Sequence, residues 1–197
     1  MAPLRNTDAF GRDLGDPADG PWAAAQPWWQ VLMDGEARRE HPGDISLELS
    51  GSLPPRERSL KVVYRHRGLR VRGLTRRFAV EIQFWQKPYY DTYGLPALDY
   101  PRVFADPGVK SKHRMPDDDS LCMWYPHDPV EKRWVHTDGL AMLLRLIADH
   151  LLCEEAWRED GADERDSIWL SDEVAHGFPS RRQRPPRSRG RRWDSAS

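Results

Sequence analysis

The sequence predicts an α/β domain of the α+β kind, an antiparallel β-meander flanked by helices. Three observations carry this. Residues 77–84 alternate strictly, with Phe78, Val80, Ile82 and Phe84 on one side and Arg77, Ala79, Glu81 and Gln83 on the other, the period of a sheet with one buried and one wet face. Two shorter alternating runs, 45–49 (ISLEL) and 60–64 (LKVVY), precede it. Residues 138–157 then set Leu140, Leu143, Leu144, Ile147, Leu151 and Leu152 at helical spacing, a helix that should lie across the sheet.

The remaining elements follow in chain order. Residues 1–20 are rich in Gly, Pro and Asp without an apolar period and read as a flexible leader. The domain is expected over 21–179. A short amphipathic helix over 27–40 is predicted to bury Trp28, Val31 and Leu32, with His41-Pro42-Gly43 ending it. The first two strands are separated by a polar segment containing Pro54 and Pro55. A fourth short strand is expected at 102–105, and 106–136 is expected to be a long irregular loop, a feature usually tied to function in a compact domain. Thr137 or Asp138 is available to cap the long helix. Residues 167–178 could form a short docked turn or helix. Residues 180–197, with seven arginines and two adjacent prolines, read as a basic disordered tail.

Composition removes several classes of function. The 197 residues carry 30 Lys and Arg against 31 Asp and Glu, a net charge of -1, so no global attraction draws the chain to nucleic acid or anionic lipid. No apolar run is long enough to cross a membrane, and Asp8, Asp13 and Asp16 stand where a signal peptide would be apolar. A cytoplasmic protein is expected. With only Cys122 and Cys153, neither a disulfide framework nor a four-cysteine zinc site can form. No cofactor or metal is expected.

Cys122 lies in the irregular stretch between Asp119 and Pro126. Context alone leaves it between a reduced nucleophile and a small buried hydrophobe, the commoner fate of a free cysteine. The acidic run Asp117-Asp118-Asp119 reads as a solvated turn. Glu173 and His176 stand three apart, on one face of any short helix, and two ligands do not make a metal site. Most of the indoles, among them Trp124, Trp134 and Trp169, read as packing.

The local motifs resemble a known family. Tyr100-Pro101-Arg102-Val103-Phe104 resembles the proline-bearing segment that leads into the fourth strand of the ubiquitin-conjugating (E2) enzymes. Ser120-Leu121-Cys122-Met123 is similar to the pattern around their cysteine, and Trp134 and Thr137 follow it as a tryptophan and a threonine do there. The string Leu121-Cys122-Met123-Trp124-Tyr125-Pro126-His127-Asp128-Pro129 resembles more closely the stand-alone bacterial E2-like proteins encoded in antiphage (CBASS-like) signalling operons, as do Trp169-Leu170 and Glu173 to His176. The resemblance spans roughly residues 28–178 and is strongest over 100–157. Two departures stand out: the family's His-Pro-Asn is replaced by His113-Arg114-Met115, and Asp119 replaces the glycine usual just before the cysteine.

The resemblance implies a ubiquitin-conjugating fold and a catalytic Cys122 that takes the C-terminus of a partner protein as a thioester and passes it to an amine. The carried partner would be a ubiquitin-like protein or a cGAS-like nucleotidyltransferase. With no Gly-rich nucleotide loop in the chain, adenylation would fall to a separate activating enzyme. His113, nine residues before the thiol, is the candidate oxyanion donor or loop holder, and His127 a candidate proton acceptor. Trp124, Glu173 and His176 are supporting candidates. Two rival readings are a catalytically inactive E2- or RWD-like scaffold and a cysteine hydrolase. Neither a membrane nor a nucleic acid is expected as a partner.

Overall fold

A computed structural model describes residues 22–51, 59–109, 111 and 113–159. After a 3-10 turn at Ala23–Ala25, helix α1 runs over Pro27–Glu40 with Pro27 at its first position, where a missing N–H costs nothing. Four strands follow, β1 (Ile45–Gly51), β2 (Leu60–Arg70), β3 (Arg77–Trp85) and β4 (Arg102–Ala105), and helix α2 (Gly139–Glu159) is the last element among the described residues. The strands pair antiparallel in sequence order, β1-β2-β3-β4. The described residues therefore form an α+β meander with two helices, and the mixed class expected from the alternating runs is borne out.

The register sorts the two faces. Ile45, Leu47 and Leu49 stand opposite His66, Tyr64 and Val62, which in turn face Val80, Ile82 and Phe84, and Val103 and Ala105 complete the row. Cross-strand partners share a face, so these residues form the apolar side on which the helices pack. Trp29 of α1 meets Phe84 edge-on with centroids 5.5 Å apart, and Leu140, Leu143, Leu144, Ile147 and Leu151 of α2 are buried in the same core. The opposite face holds Arg65 between Glu48 and Glu81, at 2.5 and 2.7 Å. β2 runs on to Arg70, six residues beyond the alternating run, across a bulge between His66 and Leu69. Gly68 fits there because a Cβ would stand 3.2 Å from the Arg77 side chain.

Two packing expectations are corrected. α1 buries Trp29, Met33, Asp34 and Ala37, whereas Trp28, Val31 and Leu32 are 44%, 68% and 66% exposed. The helix carries two apolar stripes, and the one that packs is fixed by Phe84 and by α2, which α1 meets through Arg145 to Glu36 at 2.8 Å. On α2, Leu152 is exposed, and the buried face runs on from Leu151 through Glu154 to Trp157. Asp138 does not reach forward to cap α2; its Oδ2 accepts from the backbone N–H of Val135, at 3.0 Å, within the preceding turn. α2 begins instead at Gly139, whose φ of +74° is a backbone conformation that glycine takes freely and that a side chain would strain.

The predicted leader (1–20), the Pro54-Pro55 segment, the segment 167–178 and the basic tail (180–197) lie outside the described residues. Among the described residues no helix is long and apolar enough to cross a membrane.

Candidate functional site

The segment from 106 to 138 holds Cys122 and has almost no regular structure, so its backbone must be held by specific bonds. Leu121 donates its N–H to the Val103 carbonyl at 2.7 Å, laying the segment along the free edge of β4. Cys122 donates to the carbonyl of His113 at 2.8 Å, and Met115 to that of Ser120 at 2.7 Å. The thiol-bearing stretch is thus a narrow antiparallel loop, bridged at Arg114 and Leu121 and closed by the acidic run. Asp119 at the bend has a φ of +60°, a left-handed conformation that glycine takes freely and aspartate tolerates better than most residues.

Cys122 is 7% exposed. Burial pushes its thiol up to about 11, against the pull of the positive charge on Arg102. Arg102 is itself buried, with its guanidinium 3.9 Å from the Tyr90 ring centroid and 6.0 Å from that of Tyr100. A buried guanidinium needs compensating charge, and the acidic run supplies it. Asp117 Oδ2 lies 2.9 Å from Nη2 and Asp118 Oδ2 3.1 Å from Nε. Asp118 also accepts from the Tyr89 hydroxyl at 2.7 Å and from the Ser120 N–H at 3.0 Å. The expectation of a merely solvated acidic turn is therefore corrected: two of its three carboxylates hold an arginine beside the thiol.

A second clasp ties the loop to α2. Arg114 Nε and Nη2 lie 3.2 and 3.0 Å from the two oxygens of Glu154, and Nη1 donates to the Ala105 carbonyl at 2.8 Å. Burial alone would raise the Glu154 carboxyl, but hydrogen bonds from His150 and Arg114 hold it at about 2. At the other end of the loop, His136 reaches Asp99 Oδ1 with both its backbone N–H and Nδ1, at 2.8 and 2.6 Å. These bonds from His136 outweigh the burial of Asp99 and leave its carboxyl below the usual range. The indole N–H of Trp134 donates to the Gly139 carbonyl at 3.0 Å. The loop around Cys122 is thus fastened to β4, to the Tyr-rich segment before it and to α2.

The predicted site residues are only partly brought together. His113 meets Cys122 through its backbone carbonyl, while its buried ring faces His150 of α2 with centroids 6.3 Å apart. Trp124 is buried against Tyr100 and Trp134, each at 6.1 Å. His127 is exposed and meets the rings of Tyr125 and Tyr93, at 5.2 and 6.0 Å. Tyr93 in turn lies 6.1 Å from Tyr100. Glu173 and His176 lie outside the described residues. Among the described residues, no three His, Cys, Asp or Glu side chains are grouped to hold a metal ion.

No family model, curated protein or solved structure matches the chain significantly. The site therefore has to be read from its own geometry. Sequence reasoning sees Tyr100 and Arg102 only as part of a strand-leading motif and Asp118 only as part of a solvated turn, and it assigns neither these three nor Tyr90 to the site. A signal was present in the order YYDTYG, YPR, DDD: one arginine between an aromatic and an acidic cluster can be caged by both.

Proposed function

We propose that the chain is an E2-like conjugating enzyme in which Cys122 carries the C-terminus of a partner protein as a thioester and yields it to an amine. The observation that carries this reading is the position of the thiol. It follows the fourth strand of an antiparallel meander, on an irregular segment fastened to the strand edge ahead of helix α2, as the resemblance implies. Cys122 Sγ, as thiolate, attacks the carbonyl of the activated carrier; the C–S bond to Cys122 forms and the carrier's previous thiol leaves with a proton. An amine then attacks the new thioester, the bond to Sγ breaks and Cys122 is reprotonated. The Arg102 charge favours the thiolate both before attack and after release. In this reading the loop over Cys122 yields when the carrier docks, because the resting thiol is buried. A ubiquitin-like protein or a cGAS-like nucleotidyltransferase is the carrier this proposal names, and antiphage defence its setting.

One observation favours a second reading. A buried thiol held largely protonated is what an inactive E2- or RWD-like scaffold would retain. The two separate on one experiment: incubate the protein with the α-thioester of a glycine-terminated peptide and with activated candidate carriers, and resolve the products on non-reducing gels. The conjugating reading expects an adduct that a thiol reductant removes, that Cys122→Ala abolishes and that Cys153→Ala leaves intact. Carrier binding without any adduct, unchanged in Cys122→Ala, would establish the scaffold instead.

A further inference from the structure

The hairpin that joins β2 to β3 is strongly basic in a chain whose net charge is only -1. Residues 65–77 contain six arginines (65, 67, 70, 72, 76 and 77) and no acid. Three of them have acidic partners: Arg65 with Glu48 and Glu81, Arg67 with Asp44 at 3.7 Å, and Arg76 with Asp106 at 2.6 Å and with Glu155. Arg70, Arg72 and Arg77 have no ion pair among the described residues, and all three are exposed. Arg70 and Arg77 also stand directly opposite each other across the strand pair. Like charges in that position repel, their Cβ atoms being only about 5 Å apart. The same spacing lets two guanidinium forks close on a single oxyanion.

Arg70, Arg72, Arg76, Arg77 and Thr75 line a concavity of about 500 Å³ at this tip, within the range of small-ligand sites. We propose that the tip of the β2–β3 hairpin binds a diphosphate group carried by a small ligand, with Arg70 and Arg77 on one phosphate and Arg72 on the other. Charge decides the class. Three uncompensated guanidiniums match a diphosphate, whereas one carboxylate or one phosphodiester leaves most of the charge unbalanced. An extended nucleic acid fits less well, because Asp106 and Glu155 flank the hairpin on the Arg76 side and would repel a polyanion laid across it. The Thr75 hydroxyl adds a neutral donor at the same concavity. Neither Cys122 nor its clasps enter this site, so the inference stands apart from the conjugating reading.

The test is a calorimetric titration of the full chain with inorganic pyrophosphate at constant ionic strength, with ADP, citrate and a short DNA duplex as parallel arms. Saturable pyrophosphate binding with a dissociation constant of about 100 µM or tighter is expected. It should weaken at least about ten-fold in the Arg70→Ser, Arg77→Ser double variant and stay unchanged in Arg39→Ser, a basic residue exposed elsewhere on α1. Because that double change removes a repelling pair, its melting temperature should not fall; should it fail to fold, Arg72→Ser alone must still weaken binding about three-fold. ADP binding more tightly than pyrophosphate would identify a nucleotide ester as the source, and equal binding a free diphosphate. The proposal is overturned by citrate binding as well as pyrophosphate, by equal weakening in Arg39→Ser, by duplex binding that pyrophosphate does not displace, or by no saturation.

Discussion

Arg114, eight residues before the thiol, closes both Nε and Nη2 onto the carboxylate of Glu154, a side chain buried completely in α2. A bidentate pair of this kind fixes both the distance and the orientation of the two segments it joins. It makes α2 part of the Cys122 loop's support. Removing Arg114 leaves Glu154 charged and buried with His150, at 3.7 Å, and Arg158, at 3.5 Å, still beside it, a loss whose upper limit is about 3–5 kcal/mol. Arg114→Met should therefore lower stability by up to about that amount in denaturant titrations, while Arg158→Met, which leaves the bidentate pair intact, should cost much less. Equal losses for the two would show that Arg114 is not the principal partner.

The same carboxylate sets an acid limit. Glu154 titrates at about 2 in the folded chain, against an ordinary 4.5, and Asp99 is shifted in the same direction. A lowered folded value means that the stabilisation is complete above the unfolded value and is lost as pH falls through the interval down to the folded one. Melting temperatures should thus be flat near neutrality and decline from about pH 4.5 toward pH 2. In Glu154→Gln, itself destabilised, that decline should be visibly shallower. A parallel curve in the variant would remove Glu154 from the acid response.

Burial of Cys122 has a direct kinetic consequence. With the thiol held up at about 11, only about one molecule in a thousand carries a thiolate there at pH 8. In Cys153→Ala, alkylation of Cys122 should be slow at pH 8, climb about ten-fold per pH unit through pH 10 and jump in denaturant. A plateau between pH 8 and 9 in the folded protein would mean an accessible, ordinary thiol.

Arg102 should matter to that thiol more than to the loop's backbone. Arg102→Lys keeps a charge but gives up the flat stack on Tyr90 and the two-carboxylate grip. Cys122 alkylation at a fixed pH of 9 should change by several-fold in Arg102→Lys and by less in Arg65→Lys, a control on the same face of the sheet. Asp118→Asn, which removes one of the charges on Arg102, should change the rate in the direction of a stronger net positive charge, that is, faster. A slower rate in Asp118→Asn with the fold intact would place the control of reactivity elsewhere.

Much of the scaffold was legible in the sequence because its signals are local. The alternation of Phe78, Val80, Ile82 and Phe84, and the stripe from Leu140 to Leu151, each follow from the repeat of one element, and the structure buries them accordingly. Cys122 was legible as a thiol in an irregular loop, with His113 nearby in sequence. Partnership was not legible. Which stripe of α1 faces inward depends on Phe84, dozens of residues away, so Trp28, Val31 and Leu32 stay exposed while Trp29 and Met33 pack. The acidic run acquires its role only when β4 brings Arg102 beside it, and Glu154 only when Arg114 arrives from 40 residues upstream. Periodicity along one chain segment determines which faces are apolar. Burial of a charge, and the shift of a thiol with it, depends on segments that meet only in three dimensions, since desolvation and compensating charge are properties of the assembled neighbourhood.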